Sequence, residues 1–288
     1  VTPPTCRVDI RRFEDITEEI ARLFGYNNIE TTFPLIPADA RHPDKKIDLR
    51  DRTKVLMTGL GFSEAINYSF ISKQSCDHLE LLPDDPKRKM VDILNPISED
   101  QTVMRTSLIP GLLETMKFNI SVQNKNLKLF EIGNAFFHTG HRDNQPDEVE
   151  ILAGLWTGTR IDSAWSSKEI HCDFYDIKGI LEELFRKLEI VKTTFTQMPP
   201  ESCLYTRPGF TAQILDENEP IGLVGEVHPK VLRNYDLKQT AFIFELNFDR
   251  LIQSVPDTKS ARPIPKFPAT SRDITLIIDN DIETYKII

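Results

Sequence analysis

Residues 94–137 read LNPISEDQTVMRTSLIPGLLETMKFNISVQNKNLKLFEIGNAFF, and this stretch decides the fold. Apolar side chains recur at mostly helical spacing from Leu108 to Ile120, which predicts a helix that begins after Pro110. The polar run 123–126 allows the chain to reverse. The segment 127–137 is too rich in large apolar groups for a solvated loop and predicts a buried central strand. The whole stretch therefore reads as a strand, a helix, a turn and a second strand, an order typical of the middle of a mixed α/β or α+β domain.

Outward from this stretch, hydrophobic periodicity predicts further elements on both sides. Helices are expected from Phe13 to a stop at Gly25, over residues 48–60, over 173–188 and in the short segment HPKVLRNYDL, where Pro229 suits a first turn. Strands are expected at 7–10, 61–71, 149–157, 210–215, 221–227 and 241–248, and within the apolar segment 266–282. The proline-containing segments 31–43 and 256–268 read as linkers and mark two domain boundaries.

The composition sets limits on the class of protein. The chain has 288 residues, of which 40% are hydrophobic and 27% charged, as expected for a soluble globular protein of one large or two medium domains. A net charge of −9 argues against a general nucleic-acid-coating surface, although it leaves room for a local basic patch. There is neither an apolar run of transmembrane length nor a signal-peptide pattern, so we expect no membrane association.

Several residues that often carry chemistry have a structural interpretation here. Cys6, Cys76, Cys172 and Cys203 are scattered and read as buried or free thiols in a reducing compartment. His138 and His141, followed by Asp143, could be drawn as half of a metal site, but their polar loop is more typical of a solvated turn. The segment LLPDDPKRKM reads as an exposed corner of mixed charge, and His228 as a structural histidine at a helix entry.

Carboxylates cluster around the first predicted helix, and two interpretations stay open. Asp15 and Glu18 resemble a capping box, and acidic groups in a first turn favour the helix dipole. Alternatively, Asp15, Glu18 and Glu19 lie at i, i+3 and i+4 and can converge with Asp9 on a magnesium ion, which prefers oxygen ligands. The residues by themselves favour the cap.

The strings NPISEDQTVMRTSLIPGLLETMKFNI and LKLFEIGNAFF closely resemble the β subunit of bacterial-type phenylalanyl-tRNA synthetase. RVDI, EEIARLFGYNNI, GFSEAINYSFIS, DFYDIKGILEEL, GEVHPKVLRNYDL, FELNFDRL and KFPATSRDITLIIDNDI follow in the order that family has. The resemblance covers nearly the whole chain. It implies an α+β fold with a class II aminoacyl-tRNA synthetase-like antiparallel sheet flanked by helices. Residues 1–36 would be the tail of the magnesium-site domain, 37–257 the core-like domain, and 258–288 a linker and the first strand of a truncated ferredoxin-like anticodon-binding domain.

The resemblance also implies ligands and partners. The family's magnesium set matches Asp9, Asp15, Glu18 and Glu19 at every position, which reverses the preference for the cap. That Mg²⁺ site would be shared with the α subunit, which also binds the ATP. The implied assembly is a cytoplasmic heterotetramer of two αβ pairs that attaches phenylalanine to its tRNA.

The motif-2-like strand LKLFEIGNAFF indicates that this chain is not catalytic by itself. A working class II core has an Arg-x-Glu pattern here, because an arginine fork clamps phosphate. In this sequence Leu129 stands two residues before Glu131, and the motif-3-like end FELNFDRL keeps only Arg250. The resemblance therefore implies an inactive core-like module with no catalytic or ATP-binding residues of its own, in which Arg105 packs or contacts another subunit.

Two other functions compete with this one. A stand-alone tRNA-binding or scaffold protein derived from the β subunit is the alternative, although the acidic balance counts against it. An autonomous metal-dependent enzyme built on Asp9, Asp15, Glu18 and Glu19 lacks a nucleophile or base in register with the carboxylates.

Overall fold

The computed structural model describes residues 2–33, 44–140, 145–161, 163–258 and 266–279, together with positions 282 and 287. The chain divides into two compact units, Val1–Pro43 and Asp44–Ile288. Most of the first predicted linker and the centre of the second lie outside the described residues. The domain limits at 36 and 257 therefore stay predictions.

The described residues of the first unit contain one α-helix, α1 (Phe13–Phe24), and a 3₁₀ turn at Tyr26–Asn28. The predicted helix is confirmed, and Gly25 ends it at φ +90°, a conformation that favours glycine. The strand predicted at 7–10 is wrong, because residues 8 and 9 form a turn and the described part of this unit has no strand to pair with it. The apolar stripe of α1 is exposed, with Phe13 at 78% and Leu23 at 79%.

The second unit contains six α-helices and eleven strands within its described residues. The helices are α2 (Lys45–Gly59), α3 (Ser75–His78), α4 (Ile109–Ser121), α5 (Phe174–Leu188), α6 (Pro229–Asn234) and α7 (Phe248–Ser254). The strands are β1 (Ser63–Glu64), β2 (Phe70–Ile71), β3 (Val103–Met104), β4 (Leu127–Phe137), β5 (Asp147–Thr157), β6 (Thr159–Ile161), β7 (Ile170–His171), β8 (Thr193–Gln197), β9 (Thr206–Asp216), β10 (Glu219–Val227) and β11 (Ala241–Asn247).

Seven of the strands form the main sheet, in the order β1-β4-β5-β11-β10-β9-β8. All of its pairs are antiparallel except β1 with β4, where Ser63 lies opposite Leu129 in a parallel pair. The chain is therefore α+β, with a mostly antiparallel mixed sheet flanked by helices. The single strand predicted over 61–71 is instead two short strands, β1 in the main sheet and β2 in a two-stranded sheet with β3, and between them Asn67 donates to Glu131.

Both faces of the main sheet are covered. One face carries Phe130, Leu152, Trp156 and Phe244, and α2, α5 and α7 pack on it with Met57, Leu181 and Leu251 among others. The opposite face carries Leu127, Leu129, Leu155 and Ile243, and α3, α4 and α6 cover it with Cys76, Leu112 and Val231 among others. Alternate residues of β4 thus enter different cores, which explains why its sequence is nearly continuously apolar.

The last described segment corrects a prediction. Residues 266–279 form no strand, and Ile274 and Ile277 are almost fully exposed. An apolar sequence becomes a strand only where another strand pairs with it, and none does so among the described residues.

Candidate functional site

The predicted magnesium ligands lie in the first unit, and two of them contact an arginine. Arg7 Nη2 lies 2.7 Å from Asp9 Oδ2 and 2.6 Å from Glu19 Oε1, while Arg22 contacts the other oxygen of Glu19 at 2.7 Å. Hydrogen bonds from Arg7 lower the pKa of the Asp9 carboxyl, and those from Arg7 and Arg22 lower the pKa of Glu19. Both carboxylates are thus already paired with cations of the chain.

Asp15 supports the start of α1. Its Oδ2 accepts hydrogen bonds from the backbone N–H groups of Arg11 and Arg12, both at 2.7 Å, and these bonds lower its pKa. Asp15 therefore acts from the third helical position on an N-cap at Arg12. The capping interpretation placed Asp15 at the N-cap with Glu18 as its partner. The observed box is one turn earlier, with Arg12 at the N-cap and Asp15 as its partner. Glu18 itself is exposed.

As placed here, these residues do not fit a magnesium ion. Mg²⁺ requires oxygen ligands in nearly octahedral geometry, and a guanidinium between Asp9 and Glu19 repels a second cation. Within the residues that the structure describes, no group of three or more His, Cys, Asp or Glu side chains could hold a metal ion. The four-residue site stays a prediction.

The motif-2-like strand contributes to a second group of charged residues in the other unit. Glu131 of β4 and Glu245 of β11 both lie opposite Ala153 of β5, so the three residues form one row across the sheet. Glu131 is 3% exposed and Glu245 8%, on the face that α4 covers. Two carboxylates at this depth need partners inside the protein.

Arg105 is the partner of Glu131. Its Nη1 lies 2.6 Å from Glu131 Oε1, and its Nε donates to the carbonyl of Asn134 at 2.9 Å. Asn67 Nδ2 donates to the second oxygen of Glu131 at 2.6 Å, and Thr115 holds the Asn67 amide at 2.7 Å. Gly133 leaves room for the guanidinium, because a Cβ there would lie 2.3 Å from Arg105 Nη2. The prediction that Arg105 has a packing role is consistent with these contacts.

Lys87 is the partner of Glu245, and sequence reasoning missed it. The Lys87 ammonium pairs with Glu245 Oε2, while Oε1 accepts from Ser107 Oγ at 2.5 Å and from the Leu108 N–H at 3.1 Å. Burial lowers the pKa of Lys87, but attraction to Glu245 outweighs this, so the pKa is raised overall. The corner LLPDDPKRKM, predicted to be exposed, therefore contributes a buried contact. No local pattern could have indicated it, since the partners are 158 residues apart.

The remaining candidates are engaged in structural contacts. Arg250 Nη1 donates to the carbonyl of Pro220 at 2.6 Å. His228 Nδ1 accepts from the Lys230 N–H at 3.1 Å and caps α6, as its structural interpretation predicted. His138 accepts from the Gly140 N–H, whereas positions 141 and 143 lie outside the described residues. All four cysteines are free.

These features define an α+β module whose buried charges are paired internally, and comparison with known proteins places it. A model of the tRNA synthetase B5 domain matches residues 1–26. A model of the phenylalanyl tRNA synthetase beta chain CLM domain matches residues 29–248. The chain therefore belongs to the phenylalanyl-tRNA synthetase beta-chain family.

Individual relatives agree with this assignment. The chain is similar to the phenylalanine–tRNA ligase beta subunits of Syntrophus aciditrophicus (39% identity) and Carboxydothermus hydrogenoformans (40%), in each case over 98% of this chain and 35% of the relative. Similarity to the Staphylococcus aureus subunit is 37%, over 98% of this chain and 34% of the relative. The chain thus spans about a third of the length of the curated relatives it matches. None of its described helices is long and apolar enough to cross a membrane.

Proposed function

We propose that this chain is part of a phenylalanyl-tRNA synthetase β subunit, which with an α subunit attaches phenylalanine to its tRNA using ATP. Two family models and relatives named phenylalanine–tRNA ligase beta subunit support this role. The proposed assembly is a cytoplasmic heterotetramer of two αβ pairs.

Within that assembly, we infer that this chain supplies a non-catalytic core-like module, while the α subunit binds ATP. The observation that carries this proposal is the buried row Glu131–Ala153–Glu245, both of whose carboxylates are paired within the chain. A phosphate clamp needs free cationic groups. In this sheet the position two before Glu131 is the buried Leu129, and Arg250 is bonded to a backbone carbonyl.

Phenylalanine-dependent exchange of pyrophosphate into ATP tests the catalytic part of the proposal. The purified chain should show no exchange, whereas the assembled enzyme of α and β subunits from the same organism is the positive control for the assay. Exchange by the chain alone, with α subunit excluded by mass spectrometry, would contradict a non-catalytic role.

Contact with the α subunit needs its own experiment. Because helices cover both faces of the main sheet, the module should meet other subunits through its outer surface. Co-expression with the α subunit should give a complex that stays together in gel filtration, and two separate peaks would count against the partnership. A tRNA titration of the chain alone at several salt concentrations tests the stand-alone tRNA-binding alternative. That alternative requires salt-dependent binding of tRNA in the absence of the α subunit.

For Mg²⁺ we propose the set Asp9, Asp15, Glu18 and Glu19, completed by the α subunit. Binding requires Arg7 to release Asp9 and Glu19, so the site would form only in the assembled enzyme. Glu18→Gln with Glu19→Gln should lower the magnesium content of that enzyme, whereas Glu14→Gln on the same helix should not. An unchanged magnesium content in the double variant would contradict the proposed site, and capping and ion pairing would then be the roles of these carboxylates.

A further inference from the structure

A cavity of about 450 Å³ lies beside the parallel β1–β4 pair, within the second unit. The polar side chains that line it, apart from the indole of Trp156, are neutral or cationic: Ser63, Asn119, Asn124, Asn126, Lys128, Thr159 and Arg160. No carboxylate is among the described residues of its lining. In a chain of net charge −9, this composition points to an anionic ligand.

Lys128 supplies the positive charge of this cavity. It lies opposite Trp156 in the β4–β5 register, and its ammonium sits 3.9 Å from the centre of the indole ring. A Cβ at Gly61 would lie 3.7 Å from the ammonium, so the lysine also lies close to this glycine. In the described part of the chain, no carboxylate forms an ion pair with Lys128.

Arg160 contributes less net charge, because it already has an acidic partner. Its Nη1 lies 3.0 Å from Asp176 Oδ1, and the other oxygen of Asp176 accepts from the Asp173 N–H at the start of α5. The nearby Cys172 is a neutral thiol, since burial raises its pKa to about 12. Among the described residues, the charge that faces the cavity without a carboxylate partner is therefore that of Lys128.

The amide groups of the lining are held in place by hydrogen bonds. Asn119 Nδ2 donates to the Thr115 carbonyl at 2.9 Å, and Asn124 Nδ2 donates to Asn119 Oδ1 at 3.1 Å. Asn126 Oδ1 accepts from the Thr159 N–H at 3.1 Å. The last carbonyls of α4, at positions 118–120, accept from the N–H groups of residues 122–124. The negative end of that helix is thereby satisfied locally instead of facing an anion.

Trp156, whose ring lies under the Lys128 ammonium, also lines the cavity. The residue is 4% exposed, and its indole N–H is buried without a hydrogen-bond partner among the described residues. Buried donors of this kind are uncommon in folded proteins and call for an acceptor.

We propose that this cavity binds a phosphate group through Lys128 and the surrounding amide and hydroxyl groups. Phosphate fits because its several acceptor oxygens can use donors that come from different directions, whereas a carboxylate has only two oxygens. The phosphate could belong to a free nucleotide or to an RNA backbone. The proposal is independent of the function proposed above, because none of its residues belongs to the Glu131–Ala153–Glu245 row or to the predicted magnesium set.

The test uses the full chain with Trp165→Phe, which leaves Trp156 as the only tryptophan. Inorganic phosphate is titrated at constant ionic strength against potassium chloride, with Trp156 fluorescence and calorimetry as independent measurements. We expect saturable binding, weakened about tenfold or more by Lys128→Gln, since hydrogen bonds to charged groups contribute this much. Lys128→Arg should retain binding. Lys125→Gln removes an exposed charge from the loop that precedes β4, outside the cavity, and it should change little.

The outcomes are separable. The absence of saturable binding, or equal weakening by Lys125→Gln and Lys128→Gln, would overturn the proposal. Circular dichroism melting of each variant establishes that it is folded, and Lys128→Arg keeps the test decisive if Lys128→Gln does not fold. Competition by adenosine monophosphate and by tRNA then identifies the source: displacement of phosphate by tRNA indicates an RNA backbone, and displacement only by the mononucleotide indicates a small phosphate ester.

Discussion

Replacing Arg105 with methionine should be among the most destabilising single changes in the second unit. The substitution removes the ion pair with Glu131 and the hydrogen bond to the Asn134 carbonyl, and it leaves a carboxylate that is 3% exposed with Asn67 as its main remaining partner. Removal of one partner from a buried ion pair costs about 3–5 kcal/mol. The total stability of a domain is on the order of 5–15 kcal/mol, so Arg105→Met should remove a large part of it.

Urea unfolding followed by tryptophan fluorescence measures this cost from the transition midpoint, provided that the slope with urea is unchanged. Arg186→Met is the matched control. Arg186 forms an exposed pair with Glu183 on α5, at 2.6 Å, and solvent screens such a pair so that it contributes little to stability. The double variant Arg105→Met, Glu131→Met should be more stable than Arg105→Met alone, because the second change removes the unpaired buried charge.

Two results would refute this reasoning. The first is a cost for Arg105→Met within about 1 kcal/mol of the control, well below the range for a broken buried pair. The second is additive destabilisation in the double variant, since independent effects would mean that the two residues are not coupled.

Three further predictions use other parts of the chain. Gly133→Ala should lower the unfolding free energy by about 1–3 kcal/mol in urea titrations, because the new methyl group meets Arg105, whereas Gly179→Ala, a helical site with open space, should be neutral or stabilising. Glu80→Gln should cost about 0.5 kcal/mol at pH 7, where Glu80 pairs with Lys230 at 2.5 Å. Hydrogen bonds from Lys230 and Asn234 lower the pKa of Glu80 below 4.5. The stability that the Glu80 carboxylate gives the fold is therefore complete above pH 4.5 and is lost as the pH falls through the folded-state pKa. Equal stability of the wild type and the variant at pH 7 would contradict the pairing. Finally, iodoacetamide at pH 8 should alkylate the exposed Cys6 well before Cys172, whose thiol pKa is about 12, as peptide mass spectrometry can measure.

The elements that sequence reasoning predicted well are long and carry their own signals. Helix α5 combines a buried stripe at helical spacing with a capping residue, Asp173, and its observed start at Phe174 follows directly from that cap. Strand β5 is similarly unambiguous because seven consecutive residues after Glu150 are buried. Such patterns are local, so a single sequence contains them.

The parts that could not be predicted depend on distant partners. Strand β1 is two residues long and exists only because β4 pairs with it in parallel. The ion pair between Lys87 and Glu245 depends on the whole sheet placing β11 beside the 3₁₀ turn Pro86–Arg88. Arg7 likewise reaches Glu19 across a turn whose geometry the letters RVDI do not specify, and they had instead suggested a strand.

Arg105, Gly133 and Glu131 determine how the stretch 94–137 packs. Arg105, from the end of β3, crosses to Glu131 on β4, while the Phe136 N–H donates to the Arg105 carbonyl at 2.8 Å. The side chain of Arg105 therefore accounts for a glycine at position 133, and no bound substrate is needed to explain it. A ligand that binds Glu131 would have to displace the buried guanidinium of Arg105, and this displacement costs several kcal/mol of free energy. An arginine at position 129 would therefore not be sufficient to give an Arg-x-Glu pattern with a free carboxylate, because Glu131 is already paired with Arg105 and hydrogen-bonded to Asn67.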